Sequence, residues 1–379
     1  MAIDSEITAS FGNISTSKSA VYTFTPAGFT TKLALVLPML VVGVVGFIGN
    51  VLVVSFVSWK EKTLSCIERS RFVKTFNLFV RSLAISDILS TSVSLPLTCI
   101  QICFDVFQTD WTCKAVRFVN IVFPIITIHN LIVISIEKYV SLRRVPRPLS
   151  SSTVRRSIFL AWFLGCISTL SAAATFRGIR YDLNETHFTV ICKYDKEYFP
   201  FRLIFLSFTA IEYIFPCIFL MIINISLIKT VWVTVKTRVS IDLNYPMRSK
   251  LRAAKIRGTL LLIVITFAFI IPYFFYFGYV AYNMIAKPDI TFQTDYIIRY
   301  GSGVIAFANS AINFLIYVVQ IRDFKVFFRK RFFGGNTATD KNVSVLQQMQ
   351  SFNKMHNLRP RNELHVCVTE IPVTSVGKK

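Results

Sequence analysis

The sequence predicts an all-α membrane protein, a seven-transmembrane helix bundle with a short amphipathic helix on its cytoplasmic face. Three observations lead there. Seven apolar stretches each reach the roughly 20 residues needed to cross the hydrocarbon core of a bilayer. Hydrophobic residues make up 53% of the 379 and charged residues only 16%, which leaves a soluble domain too little polar surface. Lysine and arginine segregate into alternate connections, as they do where a chain crosses a membrane repeatedly.

Taken in order, residues 1–32 form a polar tail rich in Ser and Thr. It lacks the basic start and apolar run of a cleavable signal, so the first span is expected to direct insertion. The apolar stretches run from Leu33 to Ser58, Phe76 to Phe104, Ala115 to Ser141, Ser157 to Phe176, Leu203 to Val233, Thr259 to Ile285 and Ile297 to Val319, inside a single bundle of residues 33–320. Arg322 to Arg329 mixes charged and ring residues and reads as an amphipathic surface helix within 321–333. Residues 334–379 have the polar composition of a disordered tail. Its scattered Thr337, Thr339, Ser344 and Ser351 are phosphorylation candidates that read equally as solvated surface. No internal repeat of the kind that builds transporters is visible.

The net charge of +22 would suit a nucleic-acid partner if it lay on one surface, but its distribution points elsewhere. Connections 59–75, 138–156 and 229–258 with the tail 321–379 hold 30 Lys and Arg, against 10 in the alternate set. The positive-inside rule therefore places the N-terminus outside and the C-terminus in the cytoplasm, without nucleic acid. Lys250, Arg252, Lys255 and Arg257 extend the sixth span as a cationic helix, suited to anionic membrane lipid as readily as to an acidic protein. Two sequons, Asn13-Ile-Ser15 and Asn184-Glu-Thr186, fall on the outer side, where glycosylation is expected. Cys99, Cys103, Cys166 and Cys217 sit in apolar spans as small buried hydrophobes. Cys113 and Cys192 face the oxidising side, so a bridge between them, rather than two free thiols, is expected.

What interrupts the spans is more specific. In order these are Gly49 and Asn50, then Leu83 to Asp87, then Trp111 and Cys113 at one end of the third span and Glu137-Lys138-Tyr139 at the other. Trp162, Pro216 and Pro272 follow in the next three spans, and Asn309, Ser310 and Asn313 to Tyr317 in the seventh. One set per span, these resemble the rhodopsin-like family of G-protein-coupled receptors from Leu33 to about Phe333. Asp87 is the clearest physical anomaly, because a carboxylate deep in an apolar span needs polar partners from other helices. The resemblance implies that Asn50, Thr127, Asn309, Ser310 and Asn313 surround it with water and, in many relatives, a sodium ion, which favours hard oxygen ligands. A protonated Asp87 held by hydrogen bonds alone is the other reading. No further cofactor is implied.

The resemblance also implies that Glu137, Lys138, Tyr139, Arg252, Pro272 and Tyr317 serve switching and G-protein coupling. Several of these depart from the family. Lys138 stands where Arg is usual, keeping the charge without the planar bidentate fork. Arg252 stands where many relatives carry the acid of an ionic lock, so that lock should be missing. Ile270 replaces the Trp two residues before the sixth-span proline. Phe314 replaces the proline of Asn-Pro-x-x-Tyr and restores a backbone donor, which should straighten the seventh span. Asn224 replaces a Tyr common in the fifth span. No cysteine for palmitoylation follows the surface helix closely.

For the ligand, Asn120 at the place of the amine receptors' Asp argues against a simple monoamine, and Phe307 at the opsin lysine position excludes a retinal Schiff base. Candidate ligand contacts in the outer half of the bundle are Arg117, Asn120, Pro124, Glu212, Tyr273, Phe274, Phe277 and Arg299. The plainer readings are pairing of Glu212 with His129, packing of the rings, and snorkelling of the arginines. No catalytic constellation stands out. The expected function is a plasma-membrane receptor that binds an extracellular ligand and signals through a heterotrimeric G protein, with a tail-binding regulator such as arrestin. The alternative is a non-signalling seven-helix scaffold, chaperone or decoy.

Overall fold

The computed structural model describes residues 21–24, 27–63, 71–106, 109–142, 149–194, 198–237 and 246–333. Asn13 and the tail 334–379 lie outside the described residues, as does the side chain of Arg252. Among the described residues, seven helices are long and apolar enough to cross a membrane: Phe29–Lys62, Val73–Cys103, Asp110–Leu142, Ser151–Ala173, Phe199–Val233, Ile256–Ala286 and Phe292–Gln320. They are the first to seventh spans below. Most outrun the expected apolar stretch, because a helix continues into polar turns that water satisfies.

Two spans are not continuous α-helix. Ser90–Ser94 and Ala210–Ile214 are π-turns, each closing just before a proline, Pro96 or Pro216. Proline lacks an N–H, and its ring meets the carbonyl four residues back. The widened turn moves that carbonyl aside, and the i→i−5 bonds Leu95 N→Ser90 O and Phe215 N→Ala210 O carry the helix through. The sequence had pointed to Pro216 but not to Pro96. Pro272 instead lies within one long helix, Pro246–Ala286.

Beside the helices the sequence predicts, one end of the bundle carries a three-stranded sheet. β1 (Val21–Tyr22), β2 (Phe176–Asp182) and β3 (His187–Tyr194) lie in the order β1-β3-β2. β2 and β3 form an antiparallel hairpin from Phe176↔Tyr194 to Asp182↔Phe188, and β1 adds in parallel to β3. The hairpin's turn is held by Asn184, whose Oδ1 accepts from the backbone N–H of Thr186 and His187. Three contacts pin the sheet over the bundle. Cys192 on β3 is bridged to Cys113 at the start of the third span, with 5.4 Å between Cα atoms. Gly178 N donates to Asp110 Oδ1 at 2.9 Å, and the Tyr22 hydroxyl donates to Asp105 at 2.7 Å. Partial burial and the Asp105 carboxylate push the Tyr22 pKa up to about 12, so it remains the donor.

At the opposite end the surface helix Arg322–Phe333 docks through its apolar side. Phe324 is fully buried, edge-on to Phe56 of the first span at 5.1 Å and to Phe314 of the seventh at 6.1 Å. Lys60 closes the contact with an ion pair to Asp323. Just inside, Gly49 lets the first span pack tightly against the seventh: a Cβ built there would lie 2.3 Å from Phe314 Cγ. The outer helix surfaces expose many large apolar side chains, such as Phe159, Phe163, Leu170, Ile211 and Ile222, as lipid-facing surface requires.

Candidate functional site

Beneath the sheet the helices border a partly open cleft of about 570 Å³, solvent-open space included, lined by residues from the second, third, sixth and seventh spans. Two smaller spaces share its lining residues and reach the hairpin, one of about 370 Å³ against Lys193 and Tyr194 and one of about 430 Å³ beside Phe24 and Ile191. Six of the eight expected ligand contacts line the main cavity: Arg117, Asn120, Pro124, Tyr273, Phe277 and Arg299. Arg117 is buried and donates to the Cys192 carbonyl at 3.0 Å, beneath the bridge. Arg299 pairs with Asp295 one turn earlier. The other oxygen of Asp295 accepts from the Tyr279 hydroxyl at 2.6 Å, and Lys193 of β3 reaches the same carboxylate at 3.2 Å. Arg299 is therefore held inside rather than snorkelling outward, and Asp295 ties the hairpin to the sixth and seventh spans.

The remaining two candidates lie elsewhere. Phe274 is 63% exposed on the lipid face, since one helical step beyond Tyr273 turns it about 100° away from the bundle. Glu212 is not among the cavity's lining residues. Its Oε2 lies 2.7 Å from His129 Nε2, and His129 Nδ1 lies 3.2 Å from the Ala161 carbonyl. Both ring nitrogens thus face oxygens, one of a carboxylate and one of a backbone carbonyl. The pair cross-links the third, fourth and fifth spans, as the plainer reading of Glu212 had it. Sequence reasoning missed Gln101, Lys193, Tyr276, Tyr279, Asp295 and Tyr300. An acid four residues before Arg299 and a glutamine in the run Leu-Pro-Leu-Thr-Cys-Ile-Gln were the available signals.

Deeper in the bundle, Asp87 is buried, and both its oxygens accept at 2.9 Å, from Ser310 Oγ and Asn313 Nδ2. Asn50 joins through its Nδ2, which donates to the Ser310 carbonyl at 3.0 Å and so ties in the first span. Thr127 bonds Ser86 at 3.0 Å rather than Asp87. The side-chain oxygens of Asn50, Asn309 and Asn313 are buried and accept nothing among the described residues. A second polar relay runs from Trp162 Nε1 to Ser82 Oγ and on to Asn130 Oδ1, joining the fourth, second and third spans. At the end carrying the surface helix, Glu137 and Lys138 are each 1% exposed and lie 2.7 Å apart. Ser141 donates to the other Glu137 oxygen, and the Lys138 ammonium stands 5.9 Å from the centre of the Phe76 ring. Tyr317 is buried nearby in the seventh span, and Tyr139 is half-buried.

Residues 49–317 match the family model described as 7 transmembrane receptor (rhodopsin family). The chain belongs to that family. Among curated proteins the receptor is 23% identical over 300 residues to the allatostatin-A receptor of Bombyx mori, covering 76% of each chain. It is 27% identical to the human (Homo sapiens) neuropeptide S receptor, covering 72% of each. Among solved structures, squid rhodopsin shares the fold with a TM-score of 0.64 at 18% identity, covering 83% of this chain and 90% of that one.

The receptor's departures from its family have local partners. Ile270 lies in the core, and its carbonyl accepts from the Tyr213 hydroxyl at 3.0 Å, so the fifth and sixth spans are joined where a tryptophan would otherwise pack. Tyr213 stacks on Phe277 at 4.3 Å, and Tyr273 stacks on Phe269 at 4.6 Å. Phe314 sits within an unbroken helix, Phe292–Gln320, and fills the space beside Gly49.

Proposed function

We propose that this G-protein-coupled receptor takes a peptide ligand through its sheet-covered end, which faces the outside of the plasma membrane, and couples to a heterotrimeric G protein at the other. The observation that carries the reading is the partly open cleft under a hairpin bridged to the third span, with mixed polar and aromatic walls. The peptide class is supported by relatives named allatostatin-A and neuropeptide S receptors. The orientation is supported by the lysine and arginine distribution and by a disulfide at the sheet-bearing end.

In this reading Arg117, Asn120, Pro124, Tyr273, Phe277 and Arg299 contact ligand. Tyr273 and Phe277 lie on the sixth span beside Pro272, so a ligand that fits one packing of these rings better shifts the balance between resting and active bundles. The G protein, favouring the active bundle, raises ligand affinity by the same factor. Glu137, Lys138, Tyr139, Arg252 and Tyr317 form or border the coupling surface, and phosphorylated tail hydroxyls would recruit arrestin. Asn184 at the exposed hairpin turn and Asn13 are the glycosylation sites. Asp87, Ser310, Asn309 and Asn313 would hold a sodium ion, whose oxygen preference matches the carboxylate and the buried acceptors around it. Bound there, the cation supplies charge neutralisation for Asp87.

The test is nucleotide exchange on a panel of heterotrimeric G proteins, with the full chain in lipid bilayer discs and a peptide library as ligand. Exchange that rises with at least one peptide and is lost in Lys138→Ala supports the reading. Equal exchange in wild type and Lys138→Ala across the library overturns it.

A further inference from the structure

The edge of β3 that faces β1 is only partly paired. In a strand the N–H and C=O of one residue point to the same side, and successive residues alternate. Two backbone bonds of 2.8 Å, Val21 N→Thr186 O and Thr23 N→Phe188 O, show that Phe188 points to the β1 side. By that alternation Val190 and Cys192 point there too, while Thr189 and Ile191 complete the ladder to β2. Two contacts agree with this. The Cys192 carbonyl accepts from Arg117, and Gly178, opposite Cys192 in the hairpin, turns its N–H outward to Asp110. β1 ends at Tyr22, opposite Phe188. Among the described residues, the N–H and C=O of Val190 and the N–H of Cys192 are therefore left without a hydrogen-bond partner. Cys192 is 2% exposed, and a buried backbone donor in that condition is rare in folded proteins.

The smaller space beside Phe24 lies along this edge, with Thr189 to Cys192 in its lining. Phe24 continues the line of β1 there, and Tyr296 and Tyr300 of the seventh span add aromatic wall. Gln101 of the second span lines the same space and the main cavity. It is 4% exposed, and neither its Nε2 nor its Oε1 has a hydrogen-bond partner. A carboxamide in this state is satisfied by a donor and an acceptor presented together, which each residue of an extended chain supplies to one side.

We infer that a peptide ligand binds here in extended form, as a strand added to the open edge of β3 in line with β1. Two of its residues, separated by one, give their carbonyls to the Val190 and Cys192 N–H groups, and one of the two gives its N–H to the Val190 carbonyl. The residue between them turns its own N–H and C=O to the other side, where Gln101 takes both. β1 shows that this edge accepts a strand, and strand addition is a general way of holding a peptide by its backbone. The aromatic walls receive an apolar side chain of the ligand. The inference rests on the peptide-receptor reading and adds the conformation and the backbone groups by which the peptide is held.

The experiment uses the full chain in lipid bilayer discs and follows amide hydrogen exchange residue by residue along the hairpin. Without ligand, Thr189 and Ile191 should exchange slowly and Val190 and Cys192 faster, because only the first two donate to β2. With the peptide library added pool by pool, at least one peptide should slow Val190 and Cys192 by about tenfold or more. The same peptide should bind Val190→Ala within about threefold of wild type and Val190→Pro about tenfold more weakly, since proline removes the N–H on an edge where no ladder bond needs it. Gln101→Leu should also bind it about tenfold more weakly. Slowing with no pool, or a bound peptide that leaves Val190 and Cys192 unchanged, overturns the inference. Unchanged affinity in a folded Val190→Pro or in Gln101→Leu overturns it as well. Should Val190→Pro fail to fold, the exchange pattern of wild type and the Gln101→Leu affinity decide. Nucleotide exchange separates the two readings. A peptide that drives it without slowing these amides removes the added strand and leaves the receptor reading. A peptide that slows them while no G protein responds supports the added strand and removes the signalling.

Discussion

His129 and Glu212 show how two polar residues in apolar spans are settled by neighbours on other helices. Each would be costly in lipid alone, and each is satisfied because the other, with the Ala161 carbonyl, lies across a helix interface. His129→Ala leaves Glu212 without its hydrogen-bond partner at a part-buried helix interface, and an unsatisfied group of this kind costs about 1–3 kcal/mol. A clear fall in the melting temperature of the unliganded protein is the expected outcome, with ligand potency moving less than about threefold, since neither residue lines the cavity. A large loss of potency without loss of stability would return Glu212 to the ligand. At Asp87 the expectation is opposite in kind. Asp87→Asn keeps the shape and one acceptor oxygen but not the charge, so it should abolish any dependence of ligand affinity on sodium against potassium, measured at constant ionic strength. Persistence of a sodium effect in that variant would remove the ion from this site. Asp87 and its partners were legible as a set because each is a polar residue in an apolar run. The turning of Thr127 to Ser86 was not, since two hydroxyl partners are equally compatible with one span's sequence.

At the scale of elements, the first and seventh spans meet where a glycine faces an aromatic ring. Gly49→Ala places a Cβ inside contact distance of Phe314 Cγ and Cβ, atoms close to the backbone that cannot swing aside. Overpacking of this kind costs about 1–3 kcal/mol. Gly49→Ala should therefore lower the melting temperature, and Phe314→Ala in the same chain should recover part of the loss. A double-mutant cycle with additive effects would deny the contact. The departure at Phe314 stood out in the sequence as a missing proline, but its partners did not. Gly49, Phe324 and Phe56 come together only once the surface helix is docked. The spans themselves were legible because lipid leaves few solutions for a backbone, whereas the hairpin between the fourth and fifth spans was hidden. The run Phe188 to Ile191 on β3 carried a β signal, but on β2 the rings and Ile179 alternate with Arg177, Arg180 and Asp182 as a polar loop would.

Across the whole molecule, one disulfide and the carboxylates of Asp105, Asp110 and Asp295 hold the sheet over the cavity. Cys113→Ser should free β3 from the third span and lose the positioning of the Cys192 carbonyl on Arg117. Ligand affinity should fall at least tenfold, with the melting temperature lowered in keeping with the roughly 2–5 kcal/mol typical of a native bridge. Retained affinity in Cys113→Ser, measured by saturation binding, would show that the hairpin is not part of the site. The overall charge asymmetry, the seven spans and the bridge were all legible because each is a property of many residues or of a pair on one side. The interior of the site was less so. Phe274 and Tyr273 are neighbours in sequence, yet one faces lipid and the other the cavity, and that depends on helix rotation. The two π-turns carry that dependence further. Each inserts one residue into its helix, so every side chain on the sheet side of Ser90–Ser94 or Ala210–Ile214 is turned by about 100° relative to a regular α-helix counted from the other end. Any relative lacking the extra residue presents a different face at the same alignment column, so contacts transferred by counting back from Pro96 or Pro216 must be shifted by one position.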